Sequence, residues 1–350
     1  MLIAEPLSFI NEYLREINSA IEAHYHGKKL SQIQQYWLSF CVMAIIVTNS
    51  VCWARFERAS IGKYSMAALS WMFLNSKIQW DLLLQVSVTV IIRRYGITEG
   101  TLGIDDTEKH RAKSTKRIFS THKIKDKSSG GYINGQSLVF LLLITKKITI
   151  PVGFSFYMPN PEESAWRKVD KKLKKQGVPK KDRPAKPKQN KEYPTKAQIG
   201  LRLLEEFKNT HWQVRIQCIV ADALYGNKRF VNSASKLFGG IQVISQIRCN
   251  QLVRFRNKKI SVERFFNRYQ AIKQTIKIRG EPVTVTMASA RLHVHAHGKK
   301  RFVIALKYEG ENKYRYIIAC DLSWRAADIA QAYTLRWLVE VFFQELSAGE

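Results

Sequence analysis

The apolar pattern of this sequence changes its period near Gly100. Before that point apolar residues recur at intervals of three and four, as they do between Ile33 and Ala44, and this spacing predicts helices. Between residues 100 and 247 the pattern predicts three strands, a helix, a strand, a helix and a strand. The order indicates an N-terminal helical region followed by a mixed α/β sheet. Residues from about 250 to 320 lean to β structure, and Ala326 to Leu346 predicts a long terminal helix capped by Ser323.

The positive charge of the chain limits its partners. Lys and Arg number 57 against 28 Asp and Glu, which gives a net charge of +29 and favours a polyanion, above all nucleic acid. Most of the excess lies in three windows, Lys109 to Lys127, Ser164 to Lys196 and Gln246 to Gly280, with net charges of +7, +10 and +9. Three separate windows favour a surface that follows phosphates. A single run could instead be a solvated loop, and the proline-rich stretch from Trp166 to Lys196 is typical of a mobile insertion.

Several classes of protein are disfavoured by the sequence. It has no stretch of about 20 mostly apolar residues, so we expect no membrane span. Glu5 lies where a signal peptide carries Lys or Arg. The five cysteines are scattered and form no CxxC pair, which indicates reduced thiols in the cytoplasm and no structural zinc site.

Four carboxylates have positions that suggest chemistry. Asp105 and Asp106 are predicted at the end of one strand, Asp222 follows another, and Glu340 lies in the terminal helix. Ligands of α/β sheets bind at the carboxyl ends of strands, so these acids could meet in one site. Hard carboxylate oxygens suit Mg²⁺ or Mn²⁺, and two such ions can promote in-line phosphoryl transfer. Each acid alone has a simpler interpretation: Asp105 and Asp106 could form a turn, Asp222 could cap a helix, and Glu340 could pair with Arg336.

Three histidines form a separate pattern. His293, His295 and His297 alternate, so on a strand they would share one face and could hold a transition metal. An exposed polar face beside Lys299 and Lys300 is the favoured interpretation.

The C-terminal residues carry a family resemblance. Tyr333, Arg336 and Glu340 are spaced i, i+3 and i+7 and would share one face of the predicted helix. Together with the acidic sequences at residues 104–107 and 220–226, they resemble the DDE transposases of bacterial insertion sequences. The match is to the cut-and-paste group with a Y-x2-R-x3-E-x6-K signature, and it covers roughly residues 96–347.

The resemblance implies a ribonuclease-H-like fold, that is, a mixed α/β sheet with flanking helices and a β-rich insertion between the second and third acids. Pattern and resemblance together suggest four segments. The apolar spacing predicts that residues 1–95 form a helical domain, which could bind DNA or could equally be a packing or dimerisation bundle. By the resemblance, residues 96–248 form the first part of the catalytic core with a basic insertion at 164–196, residues 249–322 form the β-rich insertion, and residues 323–350 form the terminal helix with the Glu.

The resemblance also implies roles for individual residues. Asp106, which directly precedes Thr107, would bind two Mg²⁺ ions together with Asp222 and Glu340, and Mn²⁺ could replace Mg²⁺. Asp105 is the less favoured member of the acidic pair. DNA phosphate near the cleavage point would be contacted by Tyr333 and Arg336, and flanking DNA by basic residues of the charged windows: Lys109, Arg111, Lys113, Arg254, Arg256, Lys258 and Lys259.

By this resemblance we expect a transposase that binds double-stranded element ends and target DNA, as a homodimer or a larger assembly, at the nucleoid in the bacterial cytoplasm. Ser347 stands where the signature has Lys, and the sequence ends soon after it. A truncated, inactive copy that only binds DNA or inhibits a full-length enzyme is therefore the alternative. A structure-specific nuclease on the same fold is a third interpretation.

Overall fold

A computed structural model of the chain describes residues 5–111, 118–126, 129–278 and 280–348, which fall into two units. The first unit comprises Met1–Thr98, Thr145–Val152 and Trp337–Glu350, and the second comprises Glu99–Ile144 and Gly153–Arg336. The four segments expected from the sequence stay a prediction.

The first unit is mainly helical, as the apolar spacing predicts. Ser31 begins the second helix with a capping box: its hydroxyl accepts a hydrogen bond from the Gln34 backbone N–H, and the Gln34 side chain accepts one from the Ser31 N–H. Phe40 and Phe56 are buried in the core of this unit and lie edge to face. The helices before residue 98 are α1 (Ser8–His24), α2 (Gln32–Thr48), α3 (Trp53–Ala59), α4 (Met66–Asn75) and α5 (Trp80–Arg94).

No single helix in the described ranges is long and apolar enough to cross a membrane. The pair α2 and α3 meets that criterion only when the two are taken together, and the chain bends by 90° between them.

A mixed sheet dominates the second unit. Its strands are β1 (Glu99–His110), β2 (His122–Lys125), β3 (Tyr132–Ile144), β4 (Thr149–Tyr157), β5 (Arg215–Ala221), β6 (Gln242–Ile247), β7 (Leu252–Phe255), β8 (Lys258–Ser261), β9 (Ile272–Ile278), β10 (Glu281–Val294), β11 (Lys299–Tyr308) and β12 (Arg315–Ala319). Their order is β2-β3-β1-β5-β6-β12-β11-β10-β7-β8, with β4 beside β3 and β9 beside β10. The expected ribonuclease-H-like α/β class, with a large mixed sheet and flanking helices, is confirmed.

The central strands of the sheet contain runs of apolar residues because of their position. β1 pairs parallel with β5 and antiparallel with β3, and β5 pairs parallel with β6. Strands in such a position are covered on both faces and therefore lack a polar side. Ile104, Val220 and Ile244, from three of these strands, are fully buried.

The helices of the remaining chain are α6 (Pro161–Lys175), α7 (Lys196–Thr210), α8 (Lys228–Leu237), α9 (Val262–Phe266), α10 (Ala326–Thr334) and α11 (Trp337–Ala348), of which α11 belongs to the first unit. The long terminal helix expected from the sequence is wrong, because Leu335 and Arg336 interrupt it. Ser323 does not cap α10, since its hydroxyl bonds the Asp321 carboxylate at 2.7 Å and the N-cap residue is Arg325.

The basic stretch from Trp166 to Lys196 is only partly a loop. Its first third, up to Lys175, belongs to α6, where Asn160 caps the helix and Pro161 occupies the first turn. Glu162 and Glu163 lie near the positive end of the helix dipole and three lysines lie near its negative end. This charge order stabilises a helix that the proline count of the whole stretch concealed.

Candidate active site

Strand register brings two of the acids level with each other. Ile104 of β1 pairs with Ala221 of β5 at the end of their parallel ladder, and the next residues along the chain are Asp105 and Asp222. Asp222 follows the end of β5, as expected. Asp105 and Asp106 do not lie at the end of β1, because β3 continues to pair with β1 as far as His110.

Asp105 is mostly buried, and Arg336 partly neutralises its charge. Its side chain is 13% exposed, and its Oδ2 accepts a hydrogen bond from Arg336 Nη1 at 3.2 Å. Burial and, to a lesser degree, the nearby charge of Asp222 raise the pKa of Asp105 to about 7, against the opposing effects of the Asp106 backbone N–H and of Arg336. The two aspartates therefore concentrate negative charge at one place in the sheet.

Asp106 has a different partner. Neighbouring residues of a strand point to opposite faces, and Asp106 Oδ2 lies 2.5 Å from Lys196 Nζ. The ammonium group also lies 5.3 Å from the ring centroid of Tyr157. Lys196 is the first residue of α7, after the capping box of Thr195. The sequence analysis did not select Lys196, although that capping box is a readable signal for the helix start.

Tyr333 and Arg336 lie beside the aspartate pair. The Tyr333 hydroxyl donates to Gln246 Oε1 at 3.1 Å, and burial raises its pKa to about 12. The Arg336 guanidinium is 5.9 Å from the Tyr333 ring centroid. Because Arg336 lies in the break between α10 and α11, the expected continuous helix face through Tyr333, Arg336 and Glu340 is wrong. Their contacts with DNA stay a prediction.

Glu340 lies in the first turn of α11, in the first unit, and is partly buried. Its assignment to a triad with Asp106 and Asp222 stays a prediction. Across the described ranges no group of three or more His, Cys, Asp or Glu side chains is placed to hold a metal ion.

The second unit nevertheless contains donors suited to a divalent cation. Asp105 and Asp222 offer hard carboxylate oxygens, and proteins commonly bind Mg²⁺ through one or two carboxylates while water and substrate phosphates supply the other ligands. The mutual influence of the two charges means that a cation would stabilise both ionised groups. This donor set fits a divalent ion.

Four of the selected basic residues form an exposed hairpin. β7 and β8 are joined through Arg256 and Asn257, both with positive φ, and β8 is an edge strand. Arg254 lies directly opposite Lys259, and like charges at opposed positions repel each other. Lys258 adds a fourth exposed cation. Binding of the anionic phosphate backbone of a nucleic acid would therefore relieve the repulsion between the cations of this hairpin.

Three further basic residues were selected from the first charged window. Lys109 is partly buried near the end of β1, and burial lowers its pKa. Arg111 donates from Nε to Gln136 Oε1 at 2.8 Å. Lys113 lies outside the described residues.

The histidine trio does not share a strand face. His293 is on β10, whereas His295 and His297 belong to a 3₁₀ turn, so the alternation expected to align them is wrong. His297 is 2% exposed and bonds the Gly226 carbonyl oxygen at 3.0 Å through Nε2.

Comparisons with known proteins identify a family for this chain. A family described as DDE superfamily endonuclease matches residues 57–265, more than half of the chain, including Asp105, Asp106 and Asp222 but not Glu340. No curated protein sequence matches. Among solved structures, the chain is similar to the NurA nuclease from Sulfolobus solfataricus, with 7% identity and a TM-score of 0.30 over 67% of this chain and 72% of that one.

Proposed function

This chain belongs to the DDE superfamily of endonucleases, and from that membership we propose that it is a DNA transposase. The observation that carries the proposal is the level placement of Asp105 and Asp222 on adjacent parallel strands, with Arg336 bound to Asp105. The exposed cations of the β7–β8 hairpin support a DNA substrate.

The proposed metal-binding acids are Asp222, Glu340 and one of the adjacent aspartates. The family resemblance selects Asp106, whereas the contacts favour Asp105, because Asp105 lies level with Asp222 and Asp106 is paired with Lys196. When bound, Mg²⁺ ions would stabilise negative charge on the attacking and leaving oxygens.

The side chains of the chain itself would position the DNA. Arg336 presents a cation beside the carboxylates, where charge on a transferring phosphoryl group develops. Tyr333 packs against the Arg336 guanidinium and its hydroxyl binds Gln246, which limits the conformations that Arg336 can adopt. Arg336 is therefore proposed to hold the scissile phosphate in line with its nucleophile.

The proposed reaction has two steps. In the first, a water oxygen bonds to phosphorus as the P–O3′ bond breaks, which leaves a 3′-hydroxyl at the element end. In the second, that hydroxyl attacks a target phosphodiester and releases a target 3′-hydroxyl. Since each element has two ends, we propose that two or more copies act together on DNA.

Purified full-length chain, Mg²⁺ and a plasmid that carries the coding sequence with its flanking DNA test the proposal. Cutting at the flanks followed by joining to a second plasmid is the expected result. Cutting without joining would show that the chain is a nuclease of the same superfamily and not a transposase. No Mg²⁺-dependent cutting, or equal cutting by the wild type and Asp222→Asn, would contradict the proposal. Asp182→Asn, at an exposed aspartate, is the matched control.

A further inference from the structure

A cleft of about 640 Å³ opens in the second unit between the end of α8 and the start of β11. Ser235 and Lys236 line it from the helix, and Lys299 and Arg301 line it from the strand. None of these four residues belongs to the candidate active site described above.

Arg301 is the unusual member of this cleft. The residue is fully buried, and its guanidinium donates from Nε to His297 Nδ1 at 3.1 Å and from Nη2 to Asn232 Oδ1 at 2.5 Å. Its Nη1 is buried and has no hydrogen-bond partner within the described part of the chain. Buried hydrogen-bond donors in proteins nearly always have an acceptor, so a buried guanidinium nitrogen without one requires an explanation.

The charge of Arg301 is not balanced by its partners. His297 donates from Nε2 to the Gly226 carbonyl and accepts from Arg301 at Nδ1, so it is the neutral tautomer. Burial and the nearby Arg301 lower the pKa of His297 to about 4, which keeps it neutral at physiological pH. Asn232 is uncharged, and no Asp or Glu pairs with Arg301 over the ranges that the structure describes. A buried cation without a counter-ion favours an anion.

The surroundings of the cleft add to the positive field. Lys236 and Lys299 are exposed, and Asp321 is the acidic residue that lines the cleft. One oxygen of Asp321 already accepts from the backbone N–H and the hydroxyl of Ser323, at 2.9 and 2.7 Å. Three cations against one engaged carboxylate leave the cleft with an excess of two positive charges.

We propose that this cleft binds a phosphate group. The unpartnered Nη1 of Arg301 would donate to a phosphate oxygen, and the exposed lysines of the lining, Lys236 and Lys299, would add positive charge. Guanidinium groups suit phosphate because their planar donors match its oxygens and stay charged at any physiological pH. The group is either a phosphodiester of bound DNA or a free phosphate, and its binding does not depend on the proposed catalytic activity.

Calorimetric titration of the full-length chain with inorganic phosphate, against chloride at matched ionic strength, tests the cleft. We expect saturable binding that weakens about tenfold in Lys299→Gln and in Lys236→Gln. Lys313→Gln, at an exposed lysine outside the cleft, removes the same charge and should leave the affinity unchanged. Arg301→Gln should abolish saturable binding. If that variant fails to fold, the two cleft lysines decide the question.

A second arm identifies the source of the phosphate. If the cleft holds a DNA phosphodiester, Lys236→Gln and Lys299→Gln each reduce the salt slope of duplex binding by about one, and free phosphate competes with DNA. If it holds free phosphate, the two variants lose phosphate affinity and keep wild-type DNA affinity. Either result supports a phosphate site. The absence of saturable phosphate binding, or equal affinities in the wild type and both lysine variants, overturns it.

Discussion

Arg336 donates a hydrogen bond to Asp105, from Nη1 to Oδ2 at 3.2 Å, although 231 positions separate the two residues in the sequence. Both side chains are mostly buried, with exposures of 17% and 13%. The bond joins Arg336, two residues beyond the end of α10, to the interior of β1. The position of the acid therefore depends on the last helix of the second unit, and both residues can be tested together.

Removing Arg336 should destabilise the protein because it leaves a buried carboxylate without its cation. We expect Arg336→Met to lower the free energy of unfolding by about 2–4 kcal/mol. Combining it with Asp105→Asn should recover part of that loss, with a coupling of about 1–2 kcal/mol. Urea unfolding of the wild type, both single variants and the double variant measures the coupling. Simple additivity of the two single effects would show that the pair does not interact in solution.

Substitution of the acids separates the two candidate aspartates. If Asp105 acts with Asp222 and Glu340, then Asp105→Asn, Asp222→Asn and Glu340→Gln each lower the cleavage rate by a factor of the order of 10³. Asp106→Asn should cost only about tenfold, because it removes a supporting contact to Lys196. Single-turnover cleavage with Mg²⁺ measures each rate. The opposite order, with the larger loss in Asp106→Asn, would assign the role to Asp106.

The β7–β8 hairpin should contribute to DNA binding through charge. Lys258→Gln combined with Lys259→Gln removes two exposed cations from an edge strand, and we expect weaker duplex binding with a lower salt dependence. The slope of log K against log salt should fall by about 0.9 for each DNA phosphate that the variant no longer neutralises. Lys146→Gln with Lys313→Gln is the matched control, since these two lysines are also exposed and lie outside residues 1–95 and the three charged windows. Equal slopes in the two double variants would mean that the hairpin has no specific role.

Stability should fall on mild acidification because of His297. The pKa of this residue is about 4 in the fold and about 6.5 when the chain is unfolded, so the unfolded state binds a proton first. The stabilising contribution of neutral His297 is complete above pH 6.5 and is lost as the pH falls towards 4, by up to roughly 3 kcal/mol. The cations facing it, Arg301, Lys299 and Lys228, oppose its protonation throughout this range.

Urea unfolding at several pH values between 4.5 and 7.5 measures the effect. The pKa of buried His211 is also lowered to about 4, so it contributes with the same sign. We expect His297→Gln and His211→Gln each to remove a similar part of the stability lost on acidification. Asp105, whose pKa burial raises to about 7, contributes with the opposite sign in the wild type and in both variants. An unchanged slope in His297→Gln would mean that the imidazole is accessible to protons in the folded protein.

The sequence could predict the elements whose signals are local. The capping boxes of α2 and α7 and the apolar run of β3 are readable from a few adjacent residues, and each element lies where its pattern indicates. The approach of Asp222 to the acids of β1 was also predictable, because the carboxyl ends of parallel strands meet at one edge.

The remaining features depend on distant partners. The residues next to Asp105 do not indicate that β1 continues beyond the two aspartates by pairing with β3. They also do not indicate that Arg336 binds Asp105 and not Asp106. The break at Leu335 and Arg336 has no Gly or Pro to mark it. His297 and Arg301 are only four residues apart, but their burial follows from contacts with Gly226 and Asn232, about 70 residues earlier in the chain.

The pairing of β12 with β6 has a consequence for synthesis of the protein on the ribosome. The outer edge of β6 has no neighbour in the sheet until β12 emerges, because every strand between them in the sequence lies farther out. The nascent chain must therefore carry an open, apolar strand edge through the translation of β7 to β11, a period in which a chaperone or a second nascent chain can bind it.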